Sequence, residues 1–156
     1  MYLTPTFDEE DLKIQKFSKN TSVLQILQNT MLRIIMGFDL KQHISMKQLR
    51  ERIKMMSVNQ MCVYHTVIEA YNVVKYSSSK QIKMKWEDKF ENTYSLRSET
   101  KNSLKIPEKP MKNCTGFTYC GAKLYNQLPR SVKETPNQST FKIQLRKWIW
   151  ENIPSY

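Results

Sequence analysis

Hydrophobic residues recur with a helical period along most of this chain, and polar breaks separate six such stretches. The first stretch is Ser22–Phe38, in which Ser22 suits a helix N-terminus and Gly37 suits a helix C-terminus. Its apolar positions are Val23, Leu24, Leu27, Leu32, Ile34 and Ile35. The second stretch, Met46–Met56, follows Ser45 as its capping residue. The spacing predicts a helix over each of the two stretches.

The third stretch, Val58–Tyr76, is apolar around most of its circumference, which is typical of a helix at the centre of a core. Shorter helices are predicted over Ile82–Phe90, Phe117–Leu128 and Thr140–Asn152. Gly121 within the fifth stretch predicts the close approach of another element. The predicted buried face of the last helix consists of Phe141, Leu145, Trp148 and Ile149.

Residues 91–116 interrupt the helical pattern with Pro107, Pro110 and few regular apolar positions. They predict a long basic, extended connector. We therefore expect a mainly α protein, a single helical domain of about five or six helices. Within residues 21–156, residues 21–90 are the expected helical core and residues 117–156 a C-terminal helix pair. Residues 1–20, with three Lys against four acidic residues, are expected to form an acidic, flexible arm.

Positive charge is concentrated toward one end of the chain. The net charge is +11 in 156 residues, and residues 101–156 hold ten basic against three acidic residues. A basic excess at one end favours a polyanionic partner, although such charge also serves as a solvated surface. No apolar run approaches the ~18 residues of a membrane span, so no membrane partner is expected.

The cysteines Cys62, Cys114 and Cys120 are odd in number and follow no secretory signal, which favours a reducing compartment, the nucleus or the cytoplasm. Cys62 and His65 have a Cys-x2-His spacing that Cys114 and Cys120 could complete as a zinc site. However, Cys62 lies in an apolar helical stripe and the Cys114–Cys120 spacing is loose, so buried or incidental cysteines are the favoured interpretation. We expect no cofactor.

Nucleic-acid binding has the best physical case among the possible functions. Lys and Arg supply salt-dependent affinity for phosphates, and aromatic rings stack on unpaired bases. Some of the aromatic residues near the C-terminus also suit a core, and their neighbouring charges a solvated face. The candidate binding residues are Tyr94, Arg97, Lys101, Lys105, Lys109, Lys112, Lys123, Arg130, Lys142, Arg146, Lys147 and Trp150.

Four segments in this order carry a resemblance to a known family. Leu24–Gly37 matches a Leu-Gln-x-x-Gln-Asn-x-x-Leu-Arg-Ile-Ile-x-Gly pattern, and Met56–Gln60 matches a Ser-Val-x-Gln segment. Tyr94–Arg97 and Leu104–Pro107 match a Tyr-x-x-Arg motif with short basic strands. The closing pieces, Tyr119–Pro129 and Phe141–Ile149, match an aromatic-x-Gly-x-x-x-Trp-Asn-x-Leu-Pro motif and a following helix, with Tyr125 in place of the usual Trp. The order resembles the C-terminal, post-polymerase segment of LINE-type, jockey-like non-LTR retrotransposon reverse transcriptases.

The catalytic residues of that family have no counterpart in this chain. The family's RNA-directed DNA polymerase uses a Tyr-x-Asp-Asp pair and an upstream Asp, whereas the four aspartates here are isolated: Asp8, Asp11, Asp39 and Asp88. The family's endonuclease residues are also missing. His43 and His65, the only histidines, sit in no nucleophile motif, and three isolated glycines build no phosphate loop.

The resemblance implies a non-catalytic domain that binds element RNA or target DNA, with no small-molecule substrate. Two alternatives stay open. One is a domesticated, retrotransposon-derived module that binds a protein partner through a groove between Met46–Met56 and Val58–Tyr76, since the first of these segments holds three Met and the second one. The other is the remnant of a truncated transposable element without a selected function.

Overall fold

The computed structural model describes residues 19–39, 42–87, 103–106 and 116–154. Within these residues every regular element is a helix, seven in all, so the expected mainly α class is confirmed there. The short α6 is the one helix that the periodic pattern does not predict. The helices are α1 (Lys19–Ile35), α2 (Met46–Ile53), α3 (Val58–Tyr76), α4 (Lys80–Glu87), α5 (Phe117–Gln127), α6 (Arg130–Lys133) and α7 (Gln138–Asn152).

The chain divides into two compact units. The first takes its described residues from Met1–Cys62 and Asn152–Tyr156, and the second takes its described residues from Val63–Glu151. The expected single domain over residues 21–156 stays a prediction.

Helices α1 and α2 both end through a residue in the left-handed conformation. Gly37 has φ +70, and the Phe38 N–H donates to the Arg33 carbonyl at 2.9 Å. Lys54 has φ 54, and the Met55 N–H donates to the Arg50 carbonyl at 2.9 Å. This pattern is a Schellman motif, which terminates a helix by satisfying its last carbonyls. The predicted ends at Phe38 and Met56 were therefore three residues too late.

Helix α1 packs against the rest of the first unit through its polar side. Gln28 Nε2 donates to the Met56 carbonyl at 3.0 Å, and Gln25 Oε1 accepts from the Val58 N–H at 2.9 Å. Asn29 Oδ1 accepts from Nη1 of the buried Arg50 at 2.8 Å. The apolar positions of α1, apart from Leu32, are therefore exposed, contrary to their place in an expected helical core.

Helix α3 begins and ends at the predicted residues, Val58 and Tyr76. Its start is fixed by a reciprocal pair: Ser57 Oγ accepts from the Gln60 N–H at 3.2 Å, and Gln60 Oε1 accepts from the Ser57 N–H at 3.0 Å. This capping box satisfies two backbone donors at once. The Gln60 Nε2 group also donates to the Ile153 carbonyl at 2.8 Å, which joins two distant parts of the first unit.

The second unit is built around the remainder of α3, as its broad apolar surface predicts. Val63, Val67 and Tyr71 are fully buried, and the Tyr71 ring stacks on Phe141 of α7 with centroids 3.9 Å apart. The predicted buried face of α7 is confirmed. The Tyr71 hydroxyl donates to the Thr135 carbonyl at 3.2 Å, so this ring also anchors the turn before α7.

Helices α4 and α5 meet at Gly121. A Cβ atom at this position would lie 3.3 Å from Trp86 Cζ2 and 3.2 Å from Phe117 Cε2, which confirms the predicted close approach. The indole Nε1 of Trp86 donates to the Thr118 carbonyl at 2.7 Å. Helix α4 begins at Lys80, two residues before the predicted Ile82, and the residues after Glu87 lie outside the described part of the chain.

A short segment of the expected connector, residues 103–106, is described and is neither helix nor strand. Asn126 of α5 holds it through both amide atoms: Oδ1 accepts from the Leu104 N–H at 2.7 Å, and Nδ2 donates to the Leu104 carbonyl at 2.8 Å. The Lys105 N–H donates to the Trp86 carbonyl at 3.0 Å. These contacts fix the segment against α4 and α5.

Candidate nucleic-acid interface

The outward face of α7 carries three of the candidate cations. The apolar residues Phe141, Leu145 and Ile149 are fully buried, so the opposite side of the helix faces solvent. Arg146 and Lys147 are exposed there and Lys142 is half-buried. Lys142 and Arg146 are four residues apart, about 6 Å along the axis, so both project from neighbouring turns of one face.

This face also carries apolar surface. Ile143 is exposed, and Trp150 is half-buried seven residues later on the same side of the helix. Glu151 is exposed at the end of the helix and lowers the local positive charge. The arrangement offers cations around a partly accessible indole, a combination that suits a phosphate backbone with unpaired bases.

Within residues 116–154, the cations of α6 and α7 differ in their contacts with the rest of the fold. Arg130 of α6 forms an ion pair with Glu134, and the hydrogen bond to this carboxylate raises the pKa of Arg130. No ion pair in that range includes Lys142, Arg146 or Lys147. Their ammonium and guanidinium groups can therefore meet a phosphate without breaking a contact within that range.

Lys133, which stands in the basic C-terminal region, has a structural role. Its Nζ donates to the Asn126 carbonyl at 2.9 Å and lies 5.6 Å from the centroid of the Tyr125 ring. Burial lowers the pKa of Lys133 and raises the pKa of Tyr125 to about 12. The cation thus satisfies a carbonyl at the end of α5, where positive charge is favourable.

The remaining candidate residues are dispersed. Lys105 is exposed on the segment held by Asn126, and Lys123 is half-buried on α5. Five candidates lie outside the described residues: Tyr94, Arg97, Lys101, Lys109 and Lys112. The structure therefore brings together Lys142, Arg146, Lys147 and Trp150, and it leaves the proposed contribution of the connector as a prediction.

Arg50 is a charged residue whose role the sequence did not reveal. Its side chain is buried in the first unit, and burial lowers its pKa while the nearby Glu51 raises it. Because an arginine stays protonated even so, the fold holds a positive charge next to Asn29 Oδ1. No sequence signal marks this pair, since the two residues are 21 positions apart.

The cysteines in the described part of the chain are reduced. Cys120 is buried on α5, and Cys62 is half-buried on α3, where burial raises the pKa of its thiol. His65 is exposed, and Cys114 lies outside the described residues. Within residues 19–39, 42–87, 103–106 and 116–154, no group of three His, Cys, Asp or Glu side chains is placed to hold a metal ion.

Comparisons with protein-family models, with curated proteins and with solved structures found no match to this chain. Among the described residues, no helix is long and apolar enough to cross a membrane.

Proposed function

We propose that this chain is a non-catalytic nucleic-acid-binding domain that corresponds to the C-terminal segment of a jockey-like reverse transcriptase. Its ligand would be element RNA or target DNA. The observation that carries the proposal is the outward face of α7, where Lys142, Arg146 and Lys147 surround Trp150. The resemblance of the sequence motifs supports the same function from an independent direction.

The physical basis of binding is the release of counterions from the phosphate backbone. Each phosphate that a Lys or Arg neutralises contributes about −0.9 to the slope of log K against log salt for duplex DNA, and about −0.7 for a single strand. Three cations on one helix face would therefore account for a slope near −2 to −3. A half-buried Trp150 adds stacking that favours single strands over a duplex.

Fluorescence anisotropy with single-stranded RNA, single-stranded DNA and duplex DNA over a salt series tests the proposal. The variant Lys142→Gln/Arg146→Gln/Lys147→Gln is expected to bind at least about tenfold more weakly at low salt and to lose about 2–3 from the slope. The matched control is Lys75→Gln/Lys80→Gln/Lys85→Gln, which removes the same charge from three exposed positions on α3 and α4. It should retain most of the affinity.

Equal losses in the two triple variants would show that the net charge of the chain, and not the α7 face, is responsible for binding. Weak binding by the unmodified chain without a salt slope would contradict the function itself. Replacement of Trp150 by Leu should weaken single-strand binding more than duplex binding, because only unpaired bases can stack on the ring.

The alternative of a protein-interaction module is favoured by a specific observation on α1, which exposes most of its apolar side chains. The groove between α2 and α3 stays a prediction. The consequences of the exposed α1 surface are independent of nucleic-acid binding.

A further inference from the structure

Helix α1 exposes an apolar stripe. We define the α1 stripe as the side chains of Val23, Leu24, Leu27, Met31, Ile34 and Ile35, each 53–72% exposed. All six fall within about a third of the helix circumference at 100° per residue. Ile26, also exposed, lies at its edge.

The orientation of α1 is fixed by its opposite side. Gln25, Gln28 and Asn29 make their hydrogen bonds to the Val58 N–H, the Met56 carbonyl and the Arg50 guanidinium. A rotation that buried the α1 stripe would break these contacts and leave Arg50 without its Asn29 acceptor. The free-energy cost would be large, because a buried polar group that loses a hydrogen bond is strongly destabilising. The outward direction of the stripe is therefore built into the first unit.

The exposed area is larger than an ordinary surface patch. The six side chains of the α1 stripe together with Ile26, at about 100 Å² each, expose roughly 700 Å², whereas the largest patch on a typical monomer is about 300–600 Å². A standard interface buries about 800 Å² on each partner. Two copies of this one surface would thus supply the area that a stable complex requires.

The spacing and charge of the stripe suit a second copy of the same surface. Leu24, Leu27, Met31 and Ile34 follow i, i+3, i+7 and i+10, the pattern of two helices that pack with interlocking side chains. Arg33 is the only charged residue in residues 20–35, and its Nη1 donates to the Gln42 carbonyl at 2.8 Å. A two-fold contact would therefore place no like charges against each other within the stripe.

We propose that two copies of this chain associate through the α1 stripe in a symmetric dimer. The contact is apolar, so salt should not weaken it. Salt should instead favour it by screening the repulsion between two chains of net charge +11. This response is opposite to that of nucleic-acid binding, so the two proposals can fail separately.

Sedimentation velocity on the nuclease-treated 156-residue chain tests the dimer, over a range of protein concentrations and at low and high salt. The expected result is a species of twice the 18.6 kDa chain mass, whose fraction rises with concentration and with salt. Leu27→Glu, at the centre of the stripe, and Leu27→Glu/Ile34→Glu should shift the population to the monomer. The exposed Ile143→Glu on α7 is the matched control and should leave the dimer unchanged.

Far-ultraviolet circular dichroism must show that the glutamate variants keep their helix content, which is expected because both side chains are exposed in the monomer. A monomer at every concentration would overturn the proposal. A dimer that survives Leu27→Glu/Ile34→Glu but not Ile143→Glu would also overturn it. An open-ended series of larger species would rule out the two-fold contact.

Discussion

Helices α1 and α7 are both amphipathic, yet they face their surroundings in opposite ways. Helix α7 buries Phe141, Leu145 and Ile149 and turns its cations outward. Helix α1 turns its polar side inward, where Gln25 and Gln28 bond to backbone groups, and leaves its apolar side exposed. The difference shows that an apolar period locates a helix, whereas the available partners decide which face is covered.

The largest expected difference between the helices concerns equivalent leucines. Leu145→Ala on α7 removes a fully buried side chain and should lower the free energy of unfolding by about 2–5 kcal/mol. Leu27→Ala on α1, 53% exposed, should change it by less than about 0.5 kcal/mol in dilute protein. Urea unfolding followed by far-ultraviolet circular dichroism measures both.

A large loss for Leu27→Ala in dilute protein would break the comparison, because it would mean that the α1 stripe is buried within the monomer. Tryptophan fluorescence adds a probe of the second unit alone, since all three tryptophans, Trp86, Trp148 and Trp150, belong to it. Leu145→Ala should move the fluorescence transition, and Leu27→Ala should leave it in place.

The polar side of α1 should carry the next largest effect. Asn29→Ala removes an acceptor from the buried Arg50 guanidinium, and a hydrogen bond to a charged group contributes about 1.5–3 kcal/mol to stability. The neighbouring Thr30→Ala, which loses an exposed bond to the Ile26 carbonyl, is the matched control and should cost less than about 0.5 kcal/mol. Urea unfolding again provides the measurement.

A double variant sharpens this test. Replacement of Arg50 by Met in the Asn29→Ala background removes the buried charge together with its acceptor, so the double variant should lose less than the sum of the two single losses. If the two losses in the free energy of unfolding simply add, the Asn29 and Arg50 side chains do not stabilise each other. The inward orientation of the polar side of α1 would then need another cause.

The smallest expected effect comes from the two non-glycine residues with positive φ in the described part of the chain, one in each unit. Lys54 and Ser77 both have φ 54, a conformation that glycine adopts without steric cost. Lys54→Gly should raise the free energy of unfolding by about 0.5–1 kcal/mol. Ser77→Gly should gain less, because Ser77 Oγ accepts from Lys83 Nζ at 3.0 Å and that bond is lost. Thermal unfolding measures the gain in stability of each variant, and a larger gain for Ser77→Gly than for Lys54→Gly would contradict this ranking.

The positions of most helices could be predicted because the signals are local. The apolar period and Ser57 located α3 to the residue, and Ser45 located the start of α2. The four-residue α6 escaped prediction because it is barely one turn and cannot show a period. The ends of α1 and α2 were placed too late because apolar residues continue beyond the left-handed residues that terminate them.

The candidate interface likewise has features that could be predicted from the sequence and features that could not. The basic face of α7 could be predicted because the buried residues of that helix determine the outward ones. The structural use of Lys133 could not, since its partner carbonyl at Asn126 depends on how α6 follows α5. The exposed α1 stripe was likewise hidden, because only the distant partners of Gln25, Gln28 and Asn29 reveal which side faces inward.

The hydrogen bond from Gln60 to the Ile153 carbonyl has a consequence for the order of events during synthesis. The Gln60 side chain is buried at the start of α3, yet its acceptor is made 93 residues later. A nascent chain emerges from the ribosome with its N-terminal part first, so this amide stays hydrated until Ile153 has emerged. The first unit can reach its final state only after Ile153 has emerged from the ribosome, and a chain cut before Ile153 would leave the Gln60 amide without this acceptor.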